Sequence, residues 1–446
     1  MSEPRILILS HGHPDFSLGG GEVAAYAHWA ELRRRGIEAM LVSRVSKSPG
    51  HAGATFFARS VDGLEVLFSP PPVDHFRHTQ PETRVVYEDF RALLDKFRPT
   101  VVHFQHYAFM GLELIREVRK YSANVPIILT LHEFLAICYA LGQMVKTNGV
   151  LCTKAAPLDC HLCFPDISPQ NFFMRELFVK SFLSLVDLFV CPSQFLCDRY
   201  IAWGLPPEKM VVLENGQARR DQSIAEESSN YASETRFIVL GQLSSRKGTL
   251  VVLDAVRLLP KRLRRLVRIE IHGSIQHAEE DFKLEFKKAL GEVEDTVSFC
   301  GPYRFADVGG IIRRSGWVIV PSIWWENSPL VIQEAFSAGR PVICSNIGGM
   351  AEKVTHGVNG VHFRVNSASD LAARIEECAT NPDLWKELCA GVPQPPTIDQ
   401  TVDRLLALYA RSPVPAPGST SVGNEKQDNE GPSLLTRHVQ PIDATP

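Results

Sequence analysis

Short apolar, β-branched runs alternate with longer stretches of helical spacing along most of the chain. The runs at residues 6–9, 40–43, 101–104, 127–131 and 188–191 predict strands separated by helices. That alternation predicts a parallel sheet with crossover helices, a Rossmann-like domain over residues 1–216. The polar stretch QARRDQSIAEESSNYASE, residues 217–234, has little to bury and predicts a linker. Runs at 237–240, 269–272, 297–300, 317–320 and 342–345 repeat the pattern and predict a second Rossmann-like domain over residues 235–390. The expected class is α/β, with two such domains facing a central cleft. TIDQTVDRLLALYA, within residues 391–411, has helical spacing and predicts a return helix packed across the first domain. Residues 412–446 carry six prolines in 35 positions and predict a disordered tail.

Within the second domain, SIWWENSPLVIQEAFSAGRPVICSNIGG places Glu326 and Glu334 around the start of an apolar helix. Ser328 is expected as the N-cap and Pro329 as the first helical residue, because proline lacks the N–H that would be unpaired there. The preceding strand ends at Val320, so this helix opens at a strand's carboxyl end, where ligands of open α/β sheets bind. The free N–H groups of Leu330 and Val331 suit an anion such as a diphosphate. Carboxylates on either side accept hydrogen bonds from hydroxyls, so the row hydroxyl, anion, hydroxyl matches a nucleotide-sugar. Incidental glutamates on a buried helix are the alternative.

Two further loops have ligand-binding character. Gly19, Gly20 and Gly21 follow the first strand and precede a helix expected near Glu22, which allows close backbone approach. After the strand at 237–240, GQLSSRKG places Arg246 and Lys247 at the start of the next helix, where cations beside free N–H groups hold phosphates.

Composition narrows the class. The chain has 446 residues, 45% hydrophobic and 22% charged, as expected of a globular protein with more than one domain. A net charge of −3 gives no reason to expect nucleic acid as a partner. The basic runs at 33–35 and 261–268 are expected as solvated helix ends, with a membrane-surface patch the alternative. The first strand begins by residue 5, leaving no room for a signal peptide, and no apolar run reaches spanning length. A cytoplasmic protein is expected, with peripheral association at the inner face of the membrane compatible with it. Of ten cysteines, Cys191, Cys197, Cys300, Cys344, Cys378 and Cys389 are scattered and expected in the core.

Together these motifs resemble the retaining glycosyltransferases of the GT-B fold, family 4, over residues 5 to 411. The resemblance rests on the glycine loop, TLHEF at 130–134, CPSQFLCDRY at 191–200, ENG at 214–216, GQLSSRKG at 241–248 and the Glu326 to Glu334 stretch. It implies that Glu326 lies by the donor sugar, that Glu334 binds the ribose and that Lys247 binds the diphosphate. His132 then faces the transferred sugar from the first domain. Gln242 stands where the family often has arginine, which removes one positive charge from the diphosphate site. The implied reaction moves a sugar from a nucleotide-diphosphate-sugar to a saccharide or lipid-linked acceptor with retention, as in polysaccharide or glycoconjugate synthesis. No cofactor is expected for catalysis. A sugar-nucleotide epimerase and a non-catalytic nucleotide-sugar-binding protein remain the alternatives. A dehydrogenase is disfavoured because the glycine loop lacks GxGxxG spacing.

Cys138, Cys152, Cys160 and Cys163 fall within 26 residues and end in C-x-x-C, a spacing that lets two sulfurs bind one tetrahedral ion. A structural zinc is the candidate, with reduced, unliganded thiols on a long loop the alternative.

Overall fold

The computed structural model describes residues 4–17, 19–46, 55–80, 83–217 and 234–411. Most of the linker and the whole C-terminal tail read from the sequence lie outside these residues.

The first sheet has eight strands: β1 (Arg5–Ser10), β2 (Glu38–Arg44), β3 (Phe56–Ala58), β4 (Glu65–Phe68), β5 (Val101–Phe104), β6 (Ile127–Thr130), β7 (Leu188–Cys191) and β8 (Met210–Val212). Their order is β3-β4-β2-β1-β5-β6-β7-β8, parallel throughout except for β3, which runs antiparallel to β4 at the edge. The second sheet has six parallel strands: β9 (Arg236–Leu240), β10 (Arg268–His272), β11 (Val297–Gly301), β12 (Trp317–Val320), β13 (Val342–Ser345) and β14 (Gly360–Phe363). Its order is β11-β10-β9-β12-β13-β14. In both sheets the central strands are fully buried, as expected of parallel strands covered by helices on two faces.

The helix Ile398–Arg411 returns to the first sheet. Ile398, Val402, Leu405 and Tyr409 join the cluster of Ile6, Ile8, Leu41 and Val190. Arg34 and Arg35, on the helix Gly20–Arg34 and at its C-cap, pair with Asp399 and Asp403. The Tyr409 hydroxyl lies 2.7 Å from His103 Nδ1, so this last helix reaches the polar centre of the first domain.

Two local expectations are corrected. The helix of the paired glutamates runs Leu330–Ser337 and its N-cap is Pro329. Ser328 does not cap it, and its Oγ is buried with no hydrogen-bond partner. Pro329 has ψ of 118°, extended rather than helical, so the chain turns into the helix one residue later than expected. Cys300 is exposed and Cys389 is partly buried, because each lies at the margin of its domain; Cys191, Cys197, Cys344 and Cys378 are core residues.

Candidate active site

Parallel strands aim their carboxyl ends, and the loops that follow, in one direction. In the first domain these are the loops after β1, β5, β6 and β7; in the second, those after β9, β12 and β13. The two sets face each other. The Asn327 amide donates to the carbonyl of His132 across 3.0 Å and its oxygen accepts from Ser193 Oγ, so one residue of the second domain joins two loops of the first. Gly20 lies against Leu330: a Cβ there would sit 3.4 Å from its side chain.

On the second-domain side, Gln242, Lys247, Ser322, Glu326, Pro329 and Val331 line one cavity of about 30 Å³. Lys247 and Arg246 sit on a short 3-10 turn, Ser245–Lys247, ahead of the helix Thr249–Leu258. The turn is seated by a hydrogen bond from Ile323 N–H to the Arg246 carbonyl, 2.9 Å. Gly248 follows with φ of 70°, and a Cβ there would fall 1.9 Å from the Pro321 carbonyl oxygen, so only glycine fits. Lys247 is not the fully exposed cation that its place at a helix start suggests: its ammonium lies 2.6 Å from Glu326 Oε1.

Glu326 is only 8% exposed. Ser322 Oγ at 2.7 Å, Trp324 Nε1 at 2.9 Å and Lys247 Nζ all donate to its Oε1. Burial pushes this carboxyl up, but Lys247 and the two neutral donors outweigh it and hold the group below its ordinary value. Because these three donors share one oxygen, Oε2 keeps its capacity to accept. Leu330 and Val331 open the helix, so their N–H groups have no intrahelical acceptor. Glu334, also buried, does not line this cavity; it lies near enough to Tyr303 for its charge to help burial raise that phenol to about 12.

Across the cleft His132 is held by a buried polar chain. Its Nε2 donates to Gln105 Oε1 at 3.2 Å, and Gln105 Nε2 donates to His28 Nδ1 at 3.0 Å. Burial holds His132 well below the ordinary imidazole value, and the neighbouring His106, His11, His28 and His103 add to the effect, so the ring is neutral near pH 7. Gly21 packs on this group: a Cβ there would lie 3.2 Å from His11 and 3.6 Å from His132. The helix begins at Gly20, so both glycines form its first turn rather than a loop before it.

Gln105, His28, Ser322, Trp324 and Asn327 escaped the sequence reading. Gln105 stands just past the apolar run 101–104, and no local pattern marks it, or Trp324 between the strand and the helix, as a polar partner. The four clustered cysteines line a separate cavity of about 40 Å³ in the first domain.

Two Rossmann-like domains facing one another across loops at their strands' carboxyl ends define the GT-B fold. The chain belongs to the GT-B glycosyltransferases: residues 18–217 match the family model described as Glycosyltransferase Family 4, and residues 221–390 that described as Glycosyl transferases group 1. It is similar to the lipopolysaccharide 1,2-N-acetylglucosaminetransferase of Salmonella typhimurium, 28% identical over 41% of this chain and 50% of that protein. It is also similar to the D-inositol 3-phosphate glycosyltransferase of Rhodococcus erythropolis, 31% identical over 31% of each chain. The chain thus spans half or less of the length of these two relatives. Among solved structures, Anabaena HepE in complex with UDP and glucose superposes with a TM-score of 0.62 at 18% identity, covering 92% of this chain and 100% of that one. Sucrose-phosphate synthase of Thermosynechococcus elongatus gives 0.65 at 16% identity, covering 91% and 98%.

Proposed function

We propose that the chain transfers a hexosyl group from a nucleoside-diphosphate sugar to an acceptor hydroxyl, with retention of anomeric configuration. The observation that carries this reading is the cavity where Lys247, the amides opening the helix Leu330–Ser337 and Glu326 converge. Cleavage of the anomeric C–O bond leaves negative charge on the diphosphate and positive charge on the sugar. Lys247 and the two amides meet the first without having to be assembled during the reaction. The Glu326 carboxylate, held through Oε1, offers Oε2 to a sugar hydroxyl, and Glu334 further along the helix accepts from the ribose. Arg246 supplies the cation that Gln242 does not.

His132 faces the transferred group as a neutral imidazole. With its Nε2–H committed to Gln105, the unprotonated Nδ1 is an acceptor for a hydroxyl. The acceptor enters on the face from which the diphosphate leaves, with Glu326 holding the sugar rather than attacking it. UDP and glucose bound to the similar Anabaena protein support a nucleotide-sugar donor. The lipopolysaccharide-modifying relative supports a saccharide or lipid-linked acceptor in polysaccharide or glycoconjugate synthesis. Such an acceptor would bring the protein to a membrane surface; among the described residues, no helix is long and apolar enough to cross one.

Incubation with a panel of labelled nucleoside-diphosphate sugars, with and without saccharide acceptors, tests the reading. Label in the acceptor with release of nucleoside diphosphate is expected. An isomerised donor would replace it with an epimerase, and an unchanged bound donor with a non-catalytic binding protein. Determination of the product's anomeric configuration tests retention.

A further inference from the structure

Residues 138–163 between β6 and β7 contain little regular structure: one isolated bridge, Val145 to Leu151, and the helix Pro157–Cys163. A seven-residue helix is marginal by itself and normally needs an apolar face against the protein. This one turns its leucines the wrong way, with Leu158 at 71% and Leu162 at 72% exposure. Its inward face carries Cys160 and Cys163, which share a side of the helix at i and i+3. The wall opposite includes Cys138, where the chain leaves β6, and Cys152, where it leaves the small hairpin. Leu141 and Met144 have φ of 50° and 48°, a left-handed conformation costly for residues with a Cβ.

A second feature is a buried cation packed just ahead of that segment. Arg175 is buried, and its guanidinium donates to the carbonyls of Phe76, Leu135 and Ala136 and lies 3.3 Å from His78 Nε2. Among the described residues none of its hydrogen-bond partners is a carboxylate. The guanidinium lies within electrostatic reach of Cys138 and Cys160, and also of the Glu133 carboxyl.

We propose that Cys138, Cys152, Cys160 and Cys163 form a four-cysteine site for a structural zinc ion. Four sulfur donors suit a tetrahedral borderline-soft ion, and the cavity of about 40 Å³ has room for one. Among the described residues only Glu270, His272 and Cys300 bring three donor atoms within 4.8 Å of one another, so no three of the four sulfurs are that close as they stand, and an ion here requires their side chains to turn inward. His161 stays outside the set, because it does not line the cavity. The site reaches the active centre through backbone. The Cys152 carbonyl accepts from Trp325 Nε1 at 2.9 Å, the Thr153 carbonyl accepts from Arg199 at 2.6 Å, and that guanidinium stacks on Trp325 at 5.0 Å. Zinc bound here fixes the shelf under Trp325, the residue before Glu326.

The test is elemental analysis of protein expressed with zinc present and dialysed free of loose metal, together with thiol titration. About one equivalent of zinc is expected, with four thiols gaining reactivity when a chelator removes it. Cys160→Ser and Cys163→Ser should each hold less than about a tenth of an equivalent, while Cys300→Ser keeps the full amount. The metal-depleted wild type, still folded by circular dichroism, should show altered tryptophan fluorescence that zinc restores, and Trp325→Phe should lose most of that change. Wild-type protein with less than about a tenth of an equivalent, a mass showing a disulfide among these cysteines, or iron with visible absorbance in place of zinc would overturn the site. So would zinc retained by both serine variants.

Discussion

At the scale of single residues, Lys247 and Glu326 control each other. Removing the ammonium in Lys247→Ala takes a charge-assisted bond of about 1.5 to 3 kcal/mol from a bound diphosphate, a loss of roughly 10- to 100-fold in affinity. Calorimetric titration with a nucleoside diphosphate measures it, and an unchanged affinity would remove this loop from the phosphate site. Glu133 makes a separate pH prediction. His106 Nδ1 accepts from Ala108 N–H, so its Nε2 carries the proton and donates to Glu133 Oε1 at 3.0 Å. Burial pushes the Glu133 carboxyl from 4.5 up to about 8, against the opposing pull of the Leu135 N–H and Arg175, and its Oε2 is shut away without a partner. A folded-state value above the unfolded one gives stability that is complete below 4.5 and is lost as pH rises through about 8. Glu133→Gln stays neutral throughout, so its unfolding free energy should decline less between those two values than that of the wild type. Denaturant unfolding at a series of pH values reads the slope, and an identical slope in both proteins would refute the assignment.

At the scale of elements, the proposed reading gives separate tasks to Glu326, just before the helix Leu330–Ser337, and Glu334, within it. Glu334→Ala should weaken the bare nucleoside diphosphate as well as the complete donor, because the ribose is common to both. Glu326→Ala should leave the bare diphosphate bound as tightly as before or more so, since it releases Lys247 from its 2.6 Å ion pair, and should reduce turnover and sugar discrimination instead. Titration of both variants with diphosphate and donor decides it: equal weakening of the bare diphosphate would refute the layout along this helix. The helix, the strand before it and their buried faces were legible because apolar periodicity is a property of consecutive residues. Val101–Phe104, Leu188–Cys191 and Val342–Ser345 appear with the bounds their β-branched runs predict. The short edge strands Phe56–Ala58 and Met210–Val212 were not legible, since three residues at a sheet margin carry no repeat. Nor was the pairing of Lys247 with Glu326, 79 residues apart, or the placing of Gln105 beneath His132. Those depend on which strand ends become neighbours, and no local pattern encodes that.

At the scale of the whole molecule, the two domains are joined by polar contacts of a kind that can be made and broken. The helix Gln194–Trp203 of the first domain is capped twice. Ser193 Oγ accepts from Leu196 N–H at 3.2 Å, and from the second domain the Glu352 carboxylate accepts from the amides of Gln194 at 2.8 Å and Phe195 at 2.6 Å. An acid at a helix N-terminus is favourable both by hydrogen bonding and by the helix dipole, and here it comes from another domain. Asn327 adds its two bonds to Ser193 and His132, and Gln333 donates to the Asn215 carbonyl at 2.9 Å. Gly349 seats the Glu352 helix on the Asn327 loop of its own domain, where a Cβ would lie 1.5 Å from the Asn327 carbonyl oxygen, and Gly348 faces the first domain, where a Cβ would lie 3.3 Å from the Phe195 ring. These contacts hold the arrangement in which His132 and Glu326 face one cleft, so loosening them should alter domain closure before it alters either domain. Glu352→Ala leaves two amides of the first domain without their cap from the second, and water, which reaches this exposed contact, replaces the cap without holding the domains together. The variant should therefore show a larger radius of gyration by small-angle scattering and a higher KM for the complete donor. Affinity for the bare nucleoside diphosphate, whose proposed site lies wholly in the second domain, should stay within about twofold of wild type, well inside the tenfold that 1.4 kcal/mol represents. A radius of gyration equal to the wild type's, with KM unchanged, would show that the Glu352 cap does not hold the domains together.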